Sequence, residues 1–449
     1  MPEVVCELCF RRSVRNLCRY MLAIAAVIGF GAHSAAVAQG EFTKENYQKA
    51  ILAQKEFARK VAAANDPLLP AGAEEEFTRI SRNYQQILKN GQNLSSAADR
   101  KLVQQGLEYR ILRASDPVIQ QDPGQMINVL NDVRRDLNTI GSGFSDKPDR
   151  KQRYREEVLL EALVPIKKLL KNNLDARVFG LEILNDLETV QGTFGNKRIL
   201  ILDAVPQLLR EVLNDPEQPD VVRGVAAMRI ERLLNTADIL PVEQMELAKA
   251  LAKQLERWDT ELTFQMKLID ALAAVKELRE VVGKPNPTAV DVLLKVLSDR
   301  NRFIDVRCRA AYAIARTGSS LNGNAFGAQQ LDLEPIAWKI VQLARETAQY
   351  FNAAPANPAF VGCGENLYLS FHHLNSAELS AGVGLLNRAP RSQYVNDAYK
   401  EALKIAAPMM FEKKPIAGGA LQGVDGWINN NKPATMQYDR TRNDAVVVP

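Results

Sequence analysis

The chain has 449 residues, 46% hydrophobic and 24% charged, with a formal net charge of +4. These are the proportions of a soluble globular protein, and so small a charge, without any long run of Lys and Arg, makes no case for nucleic acid as a partner. The length exceeds one ordinary core, yet no linker divides the middle, which suits several domains or a repeat architecture.

Residues 1–38 read as a secretory signal peptide. Arg11, Arg12, Arg15 and Arg19 form a positive start, Met21–Ala32 is a short apolar core, and Ala36-Val37-Ala38 supplies the small residues that a signal peptidase requires. The apolar run is too short for a comfortable membrane span, although an uncleaved anchor is the alternative. Cleavage removes Cys6, Cys9 and Cys18 and leaves 53 basic and 51 acidic side chains. Cys308 and Cys363 then remain in an oxidising space, where they are a candidate disulfide or, equally, two buried free thiols.

Helical periodicity follows over Thr43–Asn65, Ala73–Asn90, Ser96–Ala114 and Gly124–Ile140. Gly141–Pro148 breaks the chain, so residues 39–147 are expected to form an N-terminal helical region. Beyond it, four stretches share one layout. A first helix carries apolar residues four apart: Ile166/Leu170, Leu209/Leu213, Leu251/Leu255 and Leu293/Leu297, at steps of 43, 42 and 42. A second helix is headed by Arg177, Arg223, Gln265 or Arg307, at steps of 46, 42 and 42. Small or apolar residues lie three and seven positions past each head, where a helix packs closely on its neighbours. Asp175, Asp220 and Asp305 stand just before their Arg, where a carboxylate can cap an opening helix.

Ala204–Ile230 and Ala289–Ala315 carry this pattern most fully, and the two-helix unit of about 40–47 residues resembles the HEAT repeat family over roughly residues 156–317. The resemblance implies that the Asp and Arg are structural, bonding between neighbouring units. A repeat region is expected over 148–351, with a partial fifth unit from Glu334 whose second helix is displaced by Asn352–Asn366. C-terminal helices with an irregular insert fill 352–411, and 412–449, rich in Gly, Asn and Pro, reads as a disordered tail. The expected fold is all-α, an α-solenoid of HEAT-like helical hairpins with helical extensions at both ends.

Catalytic motifs are missing. There is no phosphate loop, no Gly-x-Ser-x-Gly elbow, no His-Glu-x-x-His and no haem attachment site. Cys363, His372 and His373 have no strong zinc spacing, and adjacent histidines point apart. No metal and no cofactor is expected. Asn93-Leu94-Ser95 fits a glycosylation acceptor, and Trp338, Trp427 and Tyr350 are read as exposed aromatics at contact surfaces, Trp427 more readily as an anchor of its own chain. The expectation is therefore an exported, periplasmic or extracellular, non-enzymatic scaffold that binds a protein partner, without a membrane span once the signal is cleaved. Arg229, Arg232, Lys267 and Arg309, at the solvent edge of the second helices, are the candidate partner-binding residues. The alternative is a hydrolase or binder of an envelope glycan, whose carboxylates converge only in the fold; a cleft with two carboxylates, one of raised pKa, would favour it.

Overall fold

The computed structural model describes residues 44–63, 66–90, 94, 96–144, 147–191, 199–257, 259–275, 288–317, 333–372 and 384–433. The signal peptide, the glycosylation triplet's Asn93 and Ser95, His373 and the last sixteen residues lie outside them. The described chain is almost entirely helical. It divides into two compact units, residues 55–208 and residues 209–433 together with 44–54. The helix α1 (Lys44–Ala62) belongs in part to each.

In the first unit, α2 (Ala73–Asn90), α3 (Ala97–Leu112), α4 (Pro117–Gln120) and α5 (Pro123–Thr139) precede α6 (Pro148–Leu169) and α7 (Leu174–Leu184). Ser96 caps α3 by accepting from Asp99 N. The core is organised by one buried carboxylate. Asp136 accepts from the Tyr84 hydroxyl (3.1 Å), the Gln85 amide (2.7 Å) and Arg110 Nε (3.0 Å). Tyr84 reaches it because Gly106 leaves room, since a Cβ there would sit 2.3 Å from the ring. A short hairpin, β1 (Glu188–Val190) with β2 (Leu200–Ile201), was not anticipated from the sequence; strands of three and two residues are too short to show alternation.

The Gly141–Pro148 break is not where the compact units part. Gly141 N and Gly143 N donate to Leu88 O and Lys89 O, both at 2.8 Å, and the Tyr154 hydroxyl on α6 donates to Ile87 O (2.7 Å). Backbone bonds thus stitch the two sides of the break together, and a Cβ at Gly143 would meet Lys89 O at 2.9 Å.

The second unit contains the helix pairs α8 (Ala204–Asn214, from Leu209 on) and α9 (Asp220–Thr236), α10 (Pro241–Leu255) and α11 (Leu262–Ala273), and α12 (Thr288–Ser298) and α13 (Ile304–Arg316). Leu209, Leu213, Leu251, Leu255, Leu293 and Leu297 are all buried. First helices pack on first helices, α10 on α12, and second helices on second helices, α9 on α11 and α11 on α13. Two layers of helices share one core.

The fifth pair is complete, contrary to the expectation that its second helix is displaced. α14 (Leu333–Ala353) packs on α12, and α15 (Ala359–Phe371) packs on α13. The 42-residue step fails here because α14 has 21 residues where α12 has 11, which delays the turn. The short α16 (Leu385–Arg388) and α17 (Gln393–Ala407) follow, and α17 lies against α14 and α15.

The expected disordered tail is corrected in part by α18 (Gly418–Asn430), which docks on α14 and α17. Arg345 holds Asp425 with two bonds (2.8 and 2.9 Å), Trp338 Nε1 donates to Ile428 O (3.0 Å), and Trp427 lies 5.4 Å from the Tyr394 ring. Four glycines within 418–430 depress helix propensity and hide this helix; tertiary contacts override them. Trp338, expected at the surface, is only 6% exposed.

Candidate functional site

The repeat heads bond backbone carbonyls. Arg177, Arg223, Gln265 and Arg307 are each the fourth residue of their helix. Three of them bond the carbonyl five residues back: Arg177 Nε to Asn172 O (2.7 Å), Arg223 Nε to Gln218 O (2.9 Å) and Gln265 Nε2 to Thr260 O (3.0 Å). Arg307 Nε takes Leu297 O (2.9 Å), at the end of its own first helix. In each case a side chain satisfies a backbone acceptor left over where the chain turns. Gln265 serves because its amide also donates; it fills the place of the missing arginine.

The remaining donors reach the next pair. Arg223 Nη1 contacts Gln254 on α10 (3.3 Å), and Arg307 forms two bonds to Glu346 on α14 (2.9 and 2.8 Å). Asp220 pairs with Arg223 (3.1 Å) and accepts from Glu261 N at the start of α11 (3.1 Å). None of the aspartates is the cap residue itself, although Asp305 Oδ1 accepts from Val306 N in the first turn of α13 (2.9 Å). They lie inside the first turn: Asn173 caps α7, while Pro219 and Phe303 precede α9 and α13 without a side-chain cap. Burial pushes the carboxyls of Asp175, Asp220 and Asp305 up, with Arg223 opposing it at Asp220.

A different set of side chains lies across the second helices α9, α11, α13 and α15. Arg309 Nε donates to Asp270 on α11 (2.6 Å) and Nη1 to Asn366 on α15 (3.2 Å). Arg309 and Arg316 both lie over the Tyr312 ring, at 5.4 and 5.3 Å. On α9, the Glu231 carboxyl is pushed up by burial and by Asp270, against the pull of Arg316, Lys267 and Arg309. Two carboxylates and three cations thus form one electrostatic cluster.

Of the four partner-binding candidates, Lys267 and Arg309 belong to this cluster. Arg232 is exposed on α9. Arg229 is corrected: at 7% exposure it is a buried side chain of α9, not a surface one. Glu231, Asp270, Tyr312, Arg316 and Asn366 were missed from the sequence. A signal existed for some of them, since Lys267 and Arg309 share the position two past the head, and Asp270 and Tyr312 the position five past it.

Cys308 and Cys363 are buried free thiols on the adjoining helices α13 and α15. The Cys363 thiol is pushed well up by its hydrogen bond with Cys308 and by burial. Native full-length protein should leave both cysteines unlabelled by a thiol reagent, as mapped on peptides, and denaturant should expose both. Rapid labelling without denaturant would contradict their burial. His372 lies apart from them, stacked on Tyr368 at 6.0 Å. Among the described residues no group of three or more His, Cys, Asp or Glu is placed to hold a metal ion.

No protein-family model matches the chain, and no curated protein matches it. A solved structure, human deoxyhypusine hydroxylase in complex with glycerol, is similar to it at 16% identity. The match covers 72% of this chain and 96% of that one, with a TM-score of 0.22. This finding corrects the expectation that the chain is not an enzyme. The likeness is too slight to assign an activity. Among the described residues no helix is long and apolar enough to cross a membrane.

Proposed function

We propose that the chain is a HEAT-like α-solenoid that is exported and binds a protein partner across its second helices. The observation that carries this reading is the cluster shared by α9, α11 and α13, with Asn366 added from α15. Mixed charge spread over successive repeats suits an extended, partly polar partner surface, and each repeat adds a strip of it. The repeat heads are occupied by backbone carbonyls and neighbouring pairs, so recognition falls to the positions two, five and nine past them. The Arg-rich start and small-residue site of residues 1–38 support export.

The test is cross-linking in intact source cells, followed by capture of the tagged protein and mass spectrometry. One dominant protein partner is expected at near-equal abundance. Its recovery should fall about tenfold in a Lys267→Glu/Arg316→Glu double variant with an unchanged unfolding midpoint, since reversed charges at an interface oppose the partner's own. Unchanged recovery contradicts the assignment.

The Glu231–Asp270 pair is the one observation that favours a glycan hydrolase, because one of the two carboxyls is raised. Asp270 is already held by Arg309 at 2.6 Å, which ranks this reading second. Retention on envelope polymer, with turnover abolished in Glu231→Gln, would reverse the order.

A further inference from the structure

Past its first turn, α6 exposes Arg153, Glu157, Leu160, Val164, Lys167 and Lys168 to solvent. The first five step along the helix by four, three, four and three residues. That is the 3.5-residue spacing of a coiled-coil seam, a single line along which a second helix can lie. Two apolar side chains stand at its centre, Leu160 at 51% and Val164 at 54% exposure, while Val158, Leu159 and Leu163 of the same helix are buried. The core face of α6 is thus complete without the outer pair.

The charges beside that pair are of two kinds. Glu161 and Lys168 are engaged by α3 of their own chain, Glu161 by Arg100 (3.6 Å) and Gln104 (2.8 Å) and Lys168 by Glu108. Glu157 and Lys167, which bracket the apolar pair on the seam itself, form no ion pair among the described residues. Each lies three residues from the nearer apolar side chain, so the order carboxylate, leucine, valine, ammonium is symmetric about Ala162. Turned end for end, this stripe complements itself: carboxylate lies over ammonium and Leu160 over Val164. Parallel pairing would instead set Glu157 against Glu157 and Lys167 against Lys167, which is repulsive.

We propose that α6 pairs antiparallel with the α6 of a second copy of this chain, about a two-fold axis at the level of Ala162. Such a contact is isologous, each copy offering the same patch to the other. Burial of the leucines and valines supplies the attraction, and the two Glu157–Lys167 contacts fix direction and register, since exposed ion pairs add little affinity themselves. Arg153 would approach Lys171, but Lys171 lies past Leu169, the last residue of α6, and repulsion at an exposed rim is screened by salt. A one-helix seam covers less than the roughly 1,600 Å² of a standard interface, so the dimer is weak. The assignment concerns the first unit and does not depend on what the second helices bind.

The experiment is analytical ultracentrifugation of the full chain from about 1 to 200 μM. A monomer–dimer equilibrium is expected, with a dissociation constant on the order of 10 μM. Leu160→Lys should weaken it about tenfold or more, and its unfolding midpoint should stay unchanged because the side chain lies outside the core. Glu157→Lys and Lys167→Glu should each weaken association about tenfold. Because the contact is isologous, both changes in one chain, or the two single variants mixed, should restore it to the wild-type level. A monomer throughout the range, association untouched by Leu160→Lys, or a double variant no better than the singles would each overturn the proposal.

Discussion

Replacing Arg307 with Ala is expected to destabilise the second unit by about 3–5 kcal/mol, the usual cost of removing one partner from a buried ion pair. The side chain is 4% exposed and performs two tasks. Its Nε closes the Leu297 carbonyl at the end of α12, and its two terminal nitrogens hold Glu346 on α14. Truncation leaves a partly buried carboxylate with only the exposed Arg300 at 3.8 Å and a helix-terminal carbonyl without a donor. Arg307→Lys should recover only part of the loss, because an ammonium cannot form the two-pronged contact and reach the carbonyl as well. Chemical denaturation of both variants checks this, and a loss below about 1 kcal/mol for Arg307→Ala would show that the bonds are dispensable.

Arg155→Ala is expected to be as severe, at about 3–5 kcal/mol in the first unit. Arg155 is 1% exposed, and its bonds run to carbonyls: Glu188 O twice (2.9 and 2.7 Å), Leu137 O (2.9 Å) and Ile140 O (3.2 Å). It therefore ties α6 to the end of α5 and to β1. Burial lowers its pKa to about 10, still well above neutral pH, so the guanidinium stays charged where water solvates it poorly and the carbonyls must do so instead. Truncation orphans three carbonyls and leaves a void the size of the guanidinium and its stem. Denaturation should show an earlier midpoint for the first unit, and an unchanged midpoint would contradict the role.

The repeat was legible in the sequence because two marks recur in step, the leucine pair of the first helix and the head of the second. Such a register survives changes of residue, and Gln265 keeps both the position and the bond of the arginines. The reading failed where one helix changed length. The longer α14 moved α15 out of step, and the glycines of α18 concealed a helix that only docking stabilises. The candidate site was half legible for a related reason. Lys267 and Arg309 stand at one repeat position, but Arg229 falls on the buried side of α9, and Asp270 gains significance only once Arg309 is seen to reach it.

The central claim is that Arg223 and Arg307 each tie their own pair of helices to the next, so that the loss of either is felt at one junction. Native-state hydrogen exchange of Arg223→Ala and Arg307→Ala, under conditions where both remain folded, tests it most directly. Arg223→Ala should lose protection in α9, α10 and the start of α11, and Arg307→Ala in the end of α12, α13 and α14. The same loss of protection throughout the unit in both variants, or no loss in either, would contradict it.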